Sequence, residues 1–191
     1  MKWEKVVLLL LDPSDRNIRW DANAWKARYA IPAHLCFSVG PARGYVPLVG
    51  NCLSIVDENT KVIAVSHGGA LGPAFDGARY EAVDFAQWLQ QFGLRRAGLL
   101  ALRGCLLGRD RFLEDLAQSL LLNDIRIDWL LGYRHVAMQI HPLTSHEGVG
   151  TKDVALRILT GGLAKRSDDH RVKVVRGHPG AAPKEGSRRY R

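Results

Sequence analysis

Cysteine is scarce in this chain. Cys36, Cys52 and Cys105 are odd in number and lack metal-ligand spacing, so they build neither a disulfide framework nor a metal site. At least one thiol is therefore free, and a reducing compartment is expected. Long apolar runs are missing too. The run at 6–11 spans six residues and meets Asp12-Pro13, too short for an export-signal core or a membrane span. A cytoplasmic protein without a transmembrane segment is the expectation, although a non-classical secretion route would leave no mark on a sequence. No Walker motif and no G-x-G-x-x-G follows an apolar run, which removes the usual support for nucleotide binding. Ser66 in AVSHG lacks the leading glycine of G-x-S-x-G, so a serine-hydrolase elbow is not expected either.

What is present is globular. The chain has 191 residues, 47% hydrophobic and 24% charged, enough for one domain with a sizeable core. Its formal charge of +8 is unevenly placed. Residues 164–191 hold nine Lys/Arg and three Asp/Glu, against 18 and 16 in residues 1–163. The division expected is a catalytic domain over 1–163 and a basic, partly disordered segment over 164–191. The tail suits an anionic partner, or is simply a solvated end. Nucleic acid is one such partner, without further support.

Residues 4–12 read as a buried central strand stopped by Asp-Pro, and 19–30 as a short helix with Asp21 near its start. The Pro- and Gly-rich stretch 32–50 resists assignment. Residues 51–69 read as two strands joined by a polar turn at 57–60, a hairpin, followed by a glycine-rich loop at 69–77. Helical periodicity covers 77–94 and 108–124, and apolar runs at 98–102 and 127–131 read as strands. A loop at 141–150, a helix at 151–162, an edge strand at 171–175 and disorder from 176 complete the reading. His141, His146 and Glu147 are best taken as polar loop residues, so no metal and no cofactor is expected.

The chain is organised around 61–105. KVIAVSHGG (61–69) and RAGLLALRGC (96–105) are apolar runs that each end in a reactive residue beside glycine. Strand, helix, strand makes a right-handed crossover and sets both strand ends on one edge of a parallel sheet. His67 and Cys105 are thus expected at the carboxyl edge, where open α/β sheets hold their sites. An imidazole beside a thiol generates a thiolate nucleophile, and the amides of Gly68 and Cys105 are placed to stabilise an oxyanion. The chemistry that follows is nucleophilic hydrolysis of an amide.

VIAVSHGG (62–69) and GLLALRGCLLG (98–108), in that order and on matching elements, resemble the histidine and cysteine motifs of the clan CD, caspase-like cysteine peptidases. The likeness is strongest to the cysteine protease domains of large bacterial toxins. It covers roughly residues 6–133. The resemblance implies an α/β fold, a three-layer α/β/α sandwich with a mostly parallel central sheet, and a protein or peptide substrate. It implies His67 as general acid/base, Cys105 as nucleophile and the Gly68 amide in the oxyanion hole. Substrate-binding residues are Arg103, which would pair with an acidic P1 side chain or act as a structural ion-pair partner, and Asp12, which would recognise a basic P1 or cap a loop. Toxin domains of this kind are activated by inositol hexakisphosphate on a basic surface. The matching expectation here is a polyanion site at Lys165, Arg166, Arg171, Lys173 and Arg176. Two rivals share these features: an inactive caspase-like or flavodoxin-like module that binds an anionic partner through its basic tail, and a non-peptidase hydrolase or acyltransferase using the same dyad.

Overall fold

The computed structural model describes residues 3–134 and 172–181. Its centre is a seven-stranded sheet. The strands are β1 (Lys5–Leu10), β2 (Cys36–Ser38), β3 (Val46–Pro47), β4 (Thr60–Val65), β8 (Arg96–Arg103), β9 (Arg126–Tyr133) and β10 (Val172–Arg176). They lie in the order β10-β9-β8-β4-β1-β2-β3, parallel throughout except for β10, which runs antiparallel to β9. A second, three-stranded antiparallel sheet follows β4: β5 (His67–Gly69), β6 (Gly72–Phe75) and β7 (Ala78–Arg79).

Near-continuous apolar runs make the central strands because both faces of the sheet are covered. Val7 to Leu10 in β1 and Val62, Ile63 and Val65 in β4 are fully buried. One face takes α1 (Arg16–Arg28), whose Ile18, Ala22 and Trp25 pack on Leu8, Leu10, Ile63 and Val65. The other takes α2 (Ala82–Gln91) and α3 (Phe112–Leu122), packed on Val7, Leu9, Val62, Ala64 and Leu100. Each such aliphatic side chain contributes about 1.5–3 kcal/mol of burial. Helices thus cover both faces of a largely parallel sheet.

The crossovers carry the functional consequence. From β1 the chain crosses by α1 to β2 on one side, and β4 pairs on the other. The strand order therefore reverses at β1, and the carboxyl ends of β1 and β4 flank the crevice that such a reversal opens.

Several elements differ from the sequence reading. Residues 51–55 are not the first strand of a hairpin. Cys52–Ile55 forms a single turn of 3-10 helix, because both edges of β4 are already paired, with β1 and with β8. The stretch at 69–77 is not a loop but most of the small sheet, held to α2 by aromatic packing: Phe75 stacks on Tyr80 at 4.2 Å and meets Trp88 edge-on at 5.2 Å. Helix α1 begins at Arg16, three residues ahead of the start read from the sequence. Its cap is Asp15, which accepts from the amides of Asn17 (2.7 Å) and Ile18 (3.0 Å), and not Asp21. Helices α2 and α3 begin later than expected, and the stretch at 32–50 supplies β2 and β3. Residues 177–181 are not disordered: the Gly177 amide donates to Asp128 O at 2.9 Å, His178 Nε2 lies 3.0 Å from Asp128 Oδ1, and Ala181 is buried. The loop at 141–150 and the helix at 151–162 lie outside the described residues.

Candidate active site

Two strand ends deliver the first set of groups. After β1, Leu11 continues the backbone ladder by donating to Val65 O (2.9 Å), and the chain then turns through Asp12-Pro13 into the α1 cap. After β4, Ser66 is buried and His67 emerges at the start of β5, about half exposed. His67 Nε2 lies 3.2 Å from Asp15 Oδ2 and 3.9 Å from Asp12 Oδ2. The two carboxylates are not equivalent. Asp12 is occupied locally, accepting from the Ser14 hydroxyl (2.5 Å) and the Asp15 amide (3.3 Å). Asp15 caps α1 with one oxygen and faces His67 with the other. The Ile18 amide above all, then those of Asn17 and the imidazole, holds the Asp15 carboxyl below its ordinary value against the opposing effect of burial. The carboxylate is thus ionised and fixed on the helix end.

The second set comes from the end of β8. Gly104 and Cys105 follow Arg103 into a turn that includes Leu106 at φ 61 and is pinned by the Gly108 amide donating to Tyr133 O at 2.7 Å. Glycine is required at this clamp, since a Cβ on Gly108 would stand 2.3 Å from Gly132 O. Helix α3 starts only at Phe112, so the turn at 106–111 separates Cys105 from the helix N-terminus.

The two sets meet through glycine. A Cβ on Gly68 would lie 2.6 Å from Cys105 O and 2.9 Å from Cys105 N, so the Gly68 backbone rests directly on the Gly104–Cys105 backbone. The ladder geometry frees the Gly68 amide. Gly68 stands opposite Pro73, whose carbonyl accepts from the Tyr80 amide on the far side (2.9 Å). A strand residue turns its N–H and C=O to the same side, so Pro73 faces β7 and the Gly68 N–H points out of the small sheet.

Arg103 is enclosed, with 6% of its surface exposed. Its guanidinium lies 4.1 Å from the Trp25 ring centre and 5.1 Å from that of Tyr133, and it donates from Nη1 to the Tyr133 hydroxyl. Asp21, on α1, is its charge partner: burial pushes that carboxyl up to about 7, and Arg103 pulls the other way. Among the described residues, the buried Arg103 Nε has no hydrogen-bond partner.

Of the residues expected to hold a polyanion, Lys165, Arg166 and Arg171 lie outside the described residues. The other two diverge. Lys173 Nζ turns to α3, 2.8 Å from Glu114, and also donates to Asp110 O. Arg176 lies 5.6 Å over Trp129, which packs on the opposite face of the sheet. Cys36 is buried in β2 and Cys52 is half-buried, and burial raises both thiols above their ordinary value. Among the described residues no group of three or more His, Cys, Asp or Glu is arranged to hold a metal ion, and no helix is long and apolar enough to cross a membrane.

Sequence reasoning missed Asp15. The signal was present: Ser-Asp directly after an Asp-Pro strand stop is a helix-cap signature at a strand's carboxyl end. No protein-family model matches the chain, and neither a curated protein nor a solved structure matches it.

Proposed function

We propose that this protein is a cysteine peptidase of caspase-like architecture, with Cys105 as nucleophile and His67 as general acid/base. The observation that carries the reading is the packing of the Gly68 backbone on Cys105, with the neighbouring His67 facing Asp15 across the crevice between β1 and β4. Asp15 engages Nε2, which leaves Nδ1 as the nitrogen that takes the Cys105 proton. The thiolate sulfur then bonds to the substrate carbonyl carbon, and the Gly68 and Cys105 amides receive the oxyanion. The C–N bond breaks as Nδ1 returns its proton to the leaving amine. Water adds to the thioester, His67 takes its proton, and the acid product leaves with Cys105 restored.

Neither of the two charged residues expected to read the P1 side chain fits that role. Asp12 is engaged by Ser14 and the Asp15 amide and faces His67, which argues against its reading a basic P1 side chain. Arg103 is enclosed by Trp25 and Tyr133 with Asp21 as its charge partner, which fits a structural ion-pair role and argues against its reading an acidic P1 side chain.

Iodoacetamide labelling at near-neutral pH, read by mass spectrometry, tests the dyad on wild type, Cys105→Ala and His67→Ala. The expected result is fast labelling of Cys105 that collapses in His67→Ala, with Cys36 and Cys52 slow in every form. Equal, slow labelling of all three thiols would sink the enzyme reading and favour an inactive binding module. Turnover of small esters but not of a peptide library would make the protein a different acyl-transfer enzyme.

A further inference from the structure

One end of the sheet is mostly basic, with Asp12, Asp15 and Asp21 as the acids beside it. From Ala22 to Val56 the sequence contains no Asp or Glu, while Lys26, Arg28 and Arg43 fall within it. This stretch forms most of α1 and all of β2 and β3. Arg16 and Arg19 extend the charge to the start of the helix, and both are exposed, as is Arg43. Three contacts gather these residues on one rim. Arg19 Nη1 donates to Pro13 O at 2.8 Å, and Lys26 Nζ donates to Gly44 O at 2.6 Å, directly beside Arg43. A Cβ on Gly40 would sit 3.1 Å from Pro13 Cγ, so the loop after β2 lies against the segment that leaves β1. The rim therefore borders the carboxyl ends of β1 and β2, and Arg16 follows directly on Asp15, which faces His67.

Local stability does not explain the placement. Negative side chains suit a helix N-terminus and positive ones oppose it. Helix α2 has Asp84 in its first turn and α3 has Glu114 and Asp115, whereas α1 carries its acid only at the cap, Asp15, and opens on Arg16. Among the described residues none of Arg16, Arg19, Lys26 and Arg43 forms an ion pair with an acid. Four basic side chains without an ion-pair partner among the described residues, beside a candidate site, fit a partner of opposite sign.

We infer that the rim formed by Arg16, Arg19, Lys26 and Arg43 docks an acidic polypeptide segment, carried by the substrate and lying beside the bond presented to His67 and Cys105. The inference rests on the peptidase reading for the identity of that segment as substrate. A polypeptide fits better than a nucleic acid because the rim borders a candidate peptidase site, while the basic excess of the chain sits mainly in residues 164–191 and not in the sequence that forms the rim.

The test is fluorescence anisotropy of a labelled glutamate-rich peptide against the full chain carrying Cys105→Ala, at about 50 and about 200 mM salt. R16Q/R19Q/R43Q is expected to weaken binding about tenfold at the lower salt and to flatten the salt dependence. The charge-matched control R95Q/R96Q/R126Q, at the amino ends of β8 and β9, should lose less than about twofold. Arg43→Gln alone, outside any helix, should lose about two- to threefold and keeps the test valid if the triple variant folds poorly. Equal losses in both triple variants, no binding at all, or tighter rim-dependent binding of an oligonucleotide of equal charge would each overturn the inference. Binding does not require turnover, so the two readings fail separately. Rim-dependent binding with an unreactive Cys105 removes the peptidase and leaves the acid-binding rim. Peptide cleavage whose KM ignores the rim removes the docking site alone.

Discussion

Lys61 offers the sharpest test of the interior. It lies in β4 with no exposed surface, its Nζ donating to the Tyr29 hydroxyl at 2.6 Å and standing 4.5 Å from the ring centre. Desolvation, reinforced by repulsion from Arg103 and Arg28, pushes its pKa from 10.5 down to about 6. Between those two values the unfolded chain binds a proton that the fold does not. Lys61 therefore imposes a stability penalty that is complete below about pH 6, shrinks as pH rises, and vanishes above 10.5. Lys61→Met removes the titration and keeps most of the volume. The stability difference between variant and wild type should fall by about 1.4 kcal/mol per pH unit, hence by about 4 kcal/mol from pH 6 to pH 9. At pH 7 the relief is about 5 kcal/mol, offset by about 1–3 kcal/mol for the hydrogen bond lost to Tyr29. The variant should be the more stable protein there by about 2–4 kcal/mol. Urea unfolding of both proteins at several pH values measures this directly, and taking the difference cancels titrations that both share. A difference that stays flat across this range would refute the reasoning, since it would mean that Lys61 is charged in the fold.

Asp15→Ala removes a cap and should cost about 1 kcal/mol at neutral pH. The folded pKa of Asp15 lies below 3.8, so its contribution is present above that value and lost as pH falls through the folded pKa. The cost should shrink accordingly when unfolding is repeated in acid, and alkylation of Cys105 should slow along with it. Gly68→Ala forces a Cβ against the backbone of Cys105 and should cost about 1–3 kcal/mol. A thermal melt checks the stability, and loss of selective Cys105 labelling in the folded fraction checks the site.

The parallel core was legible because its signal is compositional. Runs such as VVLLLL at 6–11 and VIAV at 62–65 are too short for helices and too continuously apolar for half-exposed strands. The meeting of Gly68 with Cys105 was legible for a related reason, because His67-Gly68 and Gly104-Cys105 each close such a run. The misreadings share one physical origin, which is that pairing partners are not written in the strand itself. LSIV at 53–56 has the composition of a strand but finds no open edge on β4. The small sheet was hidden by the opposite fault, because Gly72-Pro73 has poor strand composition and is held by pairing with β5 and β7 and by the aromatic stack on Phe75. Asp15 was missed because a cap is recognised only once the helix start is known, and the start had been placed one turn late. Arg103 was visible as a charge before a cysteine, but its enclosure by Trp25 and Tyr133 depends on elements 78 residues before and 30 after it in the chain.

Helix α1 links these features more closely than the strands do. Its cap, Asp15, faces His67; its Trp25 covers Arg103; Tyr29, at its end, holds Lys61. The apolar contacts of Ile18, Ala22 and Trp25 fix the helix to the sheet without selecting among these polar partners. The partners in turn favour one axial position, since a slide of one residue along the axis is about 1.5 Å and would break a 2.6 Å hydrogen bond and the 3.2 Å Asp15–His67 contact together. Arg16 and Arg19 ride on the same helix. An acidic segment docked on them would pull on the element that orients His67, so binding on the rim and reactivity at Cys105 should be coupled through the position of α1. That coupling is reciprocal, as any linkage between two sites must be. Occupation of Cys105 by a peptide-like inhibitor should therefore tighten the rim's hold on an acidic segment by the same factor that the segment tightens the inhibitor.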